Sequence, residues 1–131
     1  MVRSVFAVAA GFFASAVLST AGDLVLRAAR PQVFDPHGRT QDPATLLVML
    51  GYLALFSVAG GYIAATIAER RPMAHALVVG LISFGGNVIV SFATWNAAPA
   101  WYHTTVLLAV VPMALLGGSL RQLQVGHRAG A

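Results

Sequence analysis

Residues 44–68, ATLLVMLGYLALFSVAGGYIAATIA, contain no Asp, Glu, Lys or Arg. An α-helix crosses a ~30 Å hydrocarbon core with about 20 apolar residues, so this run is long enough to span a bilayer. It opens after Asp42-Pro43 and closes at Glu69-Arg70-Arg71. A carboxylate at the N-cap followed by proline at the first helical position is a helix start, because the N–H that proline lacks has no partner there. Working outward, residues 5–22, 73–95 and 99–120 are equally free of charged side chains. Pro72 and Pro99 stand at the first position of the third and fourth runs, as Pro43 does in the second. The pattern predicts an all-α fold: a four-transmembrane-helix bundle running up-down-up-down. The spans are expected at about 5–26, 44–68, 73–95 and 99–120, within a single integral membrane domain covering 1–131.

Composition points the same way. The chain is 58% hydrophobic and 9% charged, whereas a soluble domain carries about 25% charged residues. So small a chain has no means of hiding that much apolar surface from water, so lipid must be the solvent for much of it. The net charge of +4 comes from eight Arg, no Lys and four acids. These arginines are dispersed rather than gathered into a basic stripe, which argues against nucleic acid as a partner. Cysteine is absent, which excludes disulfides, thiolate metal sites, c-type haem attachment and Cys nucleophiles. The Ala- and Arg-rich, Lys-free composition is associated with GC-rich bacterial genomes.

The amino terminus admits two readings. Arg3, an apolar run and Ser19-Thr20-Ala21 before Gly22 resemble a signal peptide with a cleavage site. Apolar character resumes at Leu24-Val25-Leu26, giving 22 residues between Ser4 and Arg27. That length favours an uncleaved first span.

Arginine placement orients the spans. With the amino terminus inside, Arg3, Arg70, Arg71, Arg121 and Arg128 fall on the inner side, and Arg27, Arg30 and Arg39 on the outer. Both termini are therefore expected to be cytoplasmic, in a bacterial inner membrane. Trp95, Trp101 and Tyr102 mark the outer boundary, where amphipathic rings favour the headgroup layer. Tyr52 and Tyr62 lie within the second span, so at least one must reach a partner or the interface. The polar tail from 121 is expected to fray. Short connections predict an up-down-up hairpin series for spans two to four.

Small residues are the strongest internal pattern. Ser57, Gly61 and Ala65 recur every four residues in span two, as do Gly60, Ala64 and Ala68. Ala7, Gly11, Ser15 and Ser19 do so in span one. Faces with so little side chain let helix backbones approach closely in lipid. Packing of spans one and two within the chain is the expected use, and an oligomer interface is the alternative.

Span three carries Ser83, Asn87 and Ser91 at the same spacing, with Asn87 near the midplane. Interhelical hydrogen bonds in membranes average only about 0.6 kcal/mol, so structural glue is the default reading. The functional alternative is a polar strip lining a solute path, with Asp23 as its nearest acid. Asp23 lies four residues before Arg27, which predicts a helix-surface ion pair. Gly85-Gly86 allow close approach or a kink. Pro112 predicts a kink in span four, and Gly117-Gly118 offer a hinge beside it.

The outer loop, Asp35-Pro36-His37-Gly38-Arg39 with Asp42, reads as a turn. Asp35, His37, Asp42 and His103 offer metal-ligand chemistry, but the spacing matches no recognised site. Paired histidines deep in the bundle, as haem requires, are missing. No metal or cofactor is expected, and no catalytic residue.

Gly60-Gly61-Tyr62-Ile63-Ala64-Ala65, Glu69-Arg70-Arg71-Pro72 and Ala74-His75-Ala76-Leu77 resemble small four-span bacterial membrane proteins of uncharacterised function. Pro99-Ala100-Trp101-Tyr102-His103 and Leu115-Leu116-Gly117-Gly118 are similar to their last hairpin. The resemblance covers about residues 46–120 and implies the fold alone. Size also invites comparison with small multidrug transporters, which work as dimers and depend on a Glu embedded in the first helix. This chain has no acid in its first span before Asp23.

The role expected from sequence is that of a non-catalytic membrane subunit. It packs against another membrane protein or itself through the small-residue faces, with membrane lipid as its surroundings. A small transporter or channel using the strip on span three is the first alternative. A membrane enzyme using the outer loop is the second.

Overall fold

A computed structural model describes residues 2–68 and 71–129, with side chains described as far as His127. Glu69 and Arg70 and the side chain of Arg128, used above to orient the chain, lie outside the described residues. The described chain is helical: α1 (Val2–Ala29), α2 (Pro43–Ala68), α3 (Pro72–Ala93) and α4 (Ala100–Ala129), with short 3-10 turns at Pro31–Val33 and Trp95–Ala97. All four helices are long and apolar enough to cross a membrane. Large apolar side chains cover the outside: Phe92 is 80% exposed and Leu108 72% exposed, as expected where lipid is the solvent.

The helix starts follow the sequence signals. Asp42 Oδ2 accepts the Thr45 N–H at 2.9 Å and the Thr45 hydroxyl at 2.5 Å, and Pro43 begins α2. Pro72 is the first residue of α3, with Arg71 before it in the left-handed region at φ 53°. Pro99 falls one residue outside α4 rather than inside it, where its carbonyl accepts the Tyr102 N–H at 3.0 Å. α3 stops at Ala93, two residues short of the expected end, because the chain tightens into the Trp95–Ala97 turn.

Contacts establish the direction of each helix. Gly11 meets Gly60 and Gly22 meets Tyr52, so α1 and α2 are antiparallel. Gly80 faces Ala114 and Gly118 faces Ala76, so α3 and α4 are antiparallel. Gly61 lies on Ala114, and Tyr62 bonds to Gln124 at 2.7 Å, so α2 and α4 run parallel. The bundle is therefore up-down-up-down. One end carries the 30–42 loop and the α3–α4 turn. The other carries the start of α1 and the end of α4.

The expected hairpin series is only part of the arrangement. α2 packs most extensively on α4 and α1, and less on its sequence neighbour α3. The reason lies in the two small rows of α2, which serve different partners. A Cβ on Gly60 would meet the Gly11 carbonyl oxygen at 2.7 Å, on α1. A Cβ on Gly61 would collide with the Ala114 backbone, on α4. Gly117 answers from α4, where a Cβ would strike the Val58 carbonyl and the Tyr62 nitrogen. Gly117 and Gly118 are therefore packing positions in this fold, and α4 runs unbroken past Pro112. The tail expected to fray is instead a continuation of α4 to Ala129, anchored by the Tyr62–Gln124 bond.

Candidate functional site

The loop-bearing end is built from local polar chemistry. Asp35 Oδ1 accepts the N–H groups of His37 and Arg39, both at 2.8 Å. Gly38 takes φ 75° to complete this turn, a conformation glycine enters without a Cβ clash. The backbone N–H of Arg39 is the main cause holding the Asp35 carboxyl below its ordinary value. The Thr45 hydroxyl and N–H do the same for Asp42. Arg30 donates to Thr45 Oγ1 at 3.1 Å. The Thr40 N–H donates to the Ala97 carbonyl at 3.0 Å, tying the loop to the α3–α4 turn. The loop is thus fastened over the helix ends.

Beneath it lies a cavity of about 270 Å³. Asp23 and Arg27 from α1, Tyr52 from α2, Asn87 and Ser91 from α3, and His103 from α4 all line it. Asp23 accepts a hydrogen bond from the Tyr52 hydroxyl. The expected Asp23–Arg27 ion pair does not form. Arg27 instead turns to the loop, its guanidinium 5.5 Å from the centre of the Phe34 ring and against Gly38. Cation–π attraction accounts for this placement.

His103 is the most unusual group in the cavity wall. It is 4% exposed, and its Nε2 has no hydrogen-bond partner. Its ring stacks on Trp95 at 5.2 Å with an interplanar angle of 17°. Burying a polar atom unpaired costs about 1–3 kcal/mol, and this nitrogen is the one such side-chain atom among the described residues.

The residues singled out from sequence separate into two groups. Asp23, Asn87 and Ser91 meet at the cavity, while Ser83 sits deeper, lining an adjoining seam with Asn87, Ser15 and Ser57. Gly11, Gly60, Gly61, Ala64 and Ala65 are buried inside the chain, so the small faces pack its own helices. Among the described residues, no three His, Cys, Asp or Glu side chains gather as metal ligands. His37 lies on the exposed loop while His103 is buried below. The sequence requires a partner or the interface for at least one of Tyr52 and Tyr62 but does not pair Tyr52 with Asp23, and His103 carries no sequence signal of its burial against Trp95.

Four apolar, lipid-facing helices around these sites define a multi-pass membrane protein of the four-helix class. No protein-family model, curated protein or solved structure matches the chain.

Proposed function

We propose that this is a non-enzymatic membrane protein that binds a small polar group in the cavity at its loop-bearing end. One observation carries the reading: all four helices send polar side chains into one cavity, where the buried His103 Nε2 is unpartnered. Few polar groups in an otherwise apolar enclosure are the usual make-up of a ligand site. The test is native mass spectrometry of the chain released from its own membrane in mild detergent. Wild type should carry a stoichiometric small-molecule adduct that His103→Phe lacks. Two bare chains would contradict the reading.

The arginine distribution supports a bacterial inner membrane with both termini cytoplasmic, so the cavity opens toward the outside. A reporter fused after Ala131 should read cytoplasmic, and an extracytoplasmic signal would reverse this orientation.

A second reading, a subunit of a larger membrane assembly or a homo-oligomer, has its own support. Gly51 and Gly85 are exposed, and an added Cβ at either would meet nothing within 4 Å. Such dents in a lipid-facing surface accept a neighbouring helix. If so, Gly85→Leu should reduce the mass of the native particle, and an unchanged mass would count against it.

A further inference from the structure

Below Asn87 the cavity adjoins a seam of about 240 Å³ that reaches Phe12, and the two spaces share Ser19, Thr20, Leu53, Asn87 and Val90 in their walls. α1 and α3 flank this seam and make the thinnest contact between any two neighbouring helices of the bundle. In the seam wall, an added Cβ on Gly86 would meet nothing within 4 Å.

By sequence the seam is lined with hydroxyls and an amide. The structure turns most of these groups into their own helices, the Ser19 and Ser83 hydroxyls excepted. Ser15 Oγ donates to the Phe12 carbonyl at 2.9 Å, Ser57 Oγ to Leu53 at 2.8 Å, and Asn87 Nδ2 to Ser83 at 2.8 Å. What they leave for a ligand is a largely apolar wall of Phe12, Leu53, Val90 and Val110. The polar groups are concentrated in the cavity, where Asp23 and Arg27 stand and His103 Nε2 is buried unpartnered in the wall.

We infer that the ligand of the proposed binding site is an amphipathic lipid, its zwitterionic headgroup in the cavity and one acyl chain in the α1–α3 seam. This rests on the polar-ligand reading above and names its ligand class. The charges correspond: Asp23 suits an ammonium and Arg27 a phosphate, and the His103 ring, whose Nε2 is buried in the cavity wall, must turn to add its hydrogen bond to that phosphate. Tyr52 engages only one oxygen of Asp23, which leaves the other for the ligand. The sizes correspond too. A cavity of about 270 Å³ falls just below the roughly 300–1,000 Å³ of drug-sized pockets and suits a headgroup. Along α1 the rise from Phe12 to Asp23 is about 16 Å, close to half of the ~30 Å hydrocarbon core. That is the depth of one leaflet.

The test titrates the detergent-purified full chain with palmitoyl lysophosphatidylethanolamine and, separately, with phosphoethanolamine, read by native mass spectrometry. Two variants accompany wild type. His103→Phe keeps the stack on Trp95 and removes the unpaired nitrogen, so it should fold at least as well. Gly86→Phe fills the seam without lining the cavity. The lysolipid should bind one to one, weakened about tenfold or more by either variant. Phosphoethanolamine should bind more weakly and ignore Gly86→Phe. If phosphoethanolamine binds as tightly as the lysolipid and Gly86→Phe alters neither, the chain assignment fails and the polar-ligand reading stands. If the lysolipid binds wild type and His103→Phe alike, or neither compound binds, both are overturned.

Discussion

The two ends of this bundle solve the problem of packing in lipid differently. Toward the end where α1 begins and α4 finishes, glycine meets backbone or an alanine methyl. Gly11 lies on Gly60, Gly61 on Ala114, Gly117 on Val58 and Gly118 on Ala76. Close approach gains dispersion contacts where lipid supplies no hydrophobic drive. Toward the loop-bearing end the contacts pass to larger groups, Tyr52, Tyr102, His103 and Trp95, which hold the helices around a cavity. The tight end supplies stability, and the loose end retains unmet hydrogen-bonding capacity.

The comparison can be broken most directly at the tight end. Gly61→Leu or Gly117→Leu drives a side chain into the facing backbone, and overpacking of that kind should cost roughly 3 kcal/mol or more. Loss of folded yield and of thermal stability in detergent would register it. Wild-type stability in both variants would refute the parallel α2–α4 contact.

The loose end should be more forgiving. Tyr52→Phe removes the bond to Asp23 and should cost about 1 kcal/mol, within the range for interhelical bonds in membranes. A loss matching that of Gly61→Leu would erase the distinction between the ends.

Acid sharpens the comparison further. The Asp42 carboxyl is held below its ordinary value of 3.8 by the Thr45 hydroxyl. A depressed carboxyl contributes stability above pH 3.8, and that contribution fades as pH falls through its lowered value. Hydrogen exchange at Thr45 and Leu46 should therefore rise below that pH before exchange at Ala64 and Ala65. Simultaneous loss at both places would mean that the ends unfold as one unit. The smallest effect belongs to Gly85→Leu, whose side chain enters open space. The stability of the chain alone should stay within about 0.5 kcal/mol of wild type.

Much of this fold is legible in the sequence because its signals are local. Charge-free runs of sufficient length, and the Asp42-Pro43 start, need no knowledge of tertiary contacts. The small rows announce close packing, but they do not say which helix occupies which row. Gly60 and Gly61 are adjacent in the chain yet serve α1 and α4 separately, a division that depends on how three helices share one surface. The candidate site is less legible for a related reason. Asp23 and Arg27 sit one turn apart, which suggests a pair, but a phenol on α2 and a ring in the loop win them instead. The strip Ser83, Asn87 and Ser91 reads as one polar line, whereas Asn87 bonds back to Ser83 while Ser91 joins the cavity. His103 looks ordinary in sequence, and only its burial on Trp95 with a free Nε2 sets it apart.

The natural absence of cysteine makes one measurement decisive. Ser91, 6% exposed but lining the cavity, and Ala65, 3% exposed in the packed half, can each be replaced by Cys. Both variants, purified in detergent and stripped of bound lipid, would be exposed to a small water-soluble methanethiosulfonate. A cavity at the loop-bearing end predicts that Ser91→Cys is modified quickly while Ala65→Cys stays unreactive. Equal reactivity at the two positions, or none at either, would contradict the division of the bundle into a closed half and a half built around a cavity.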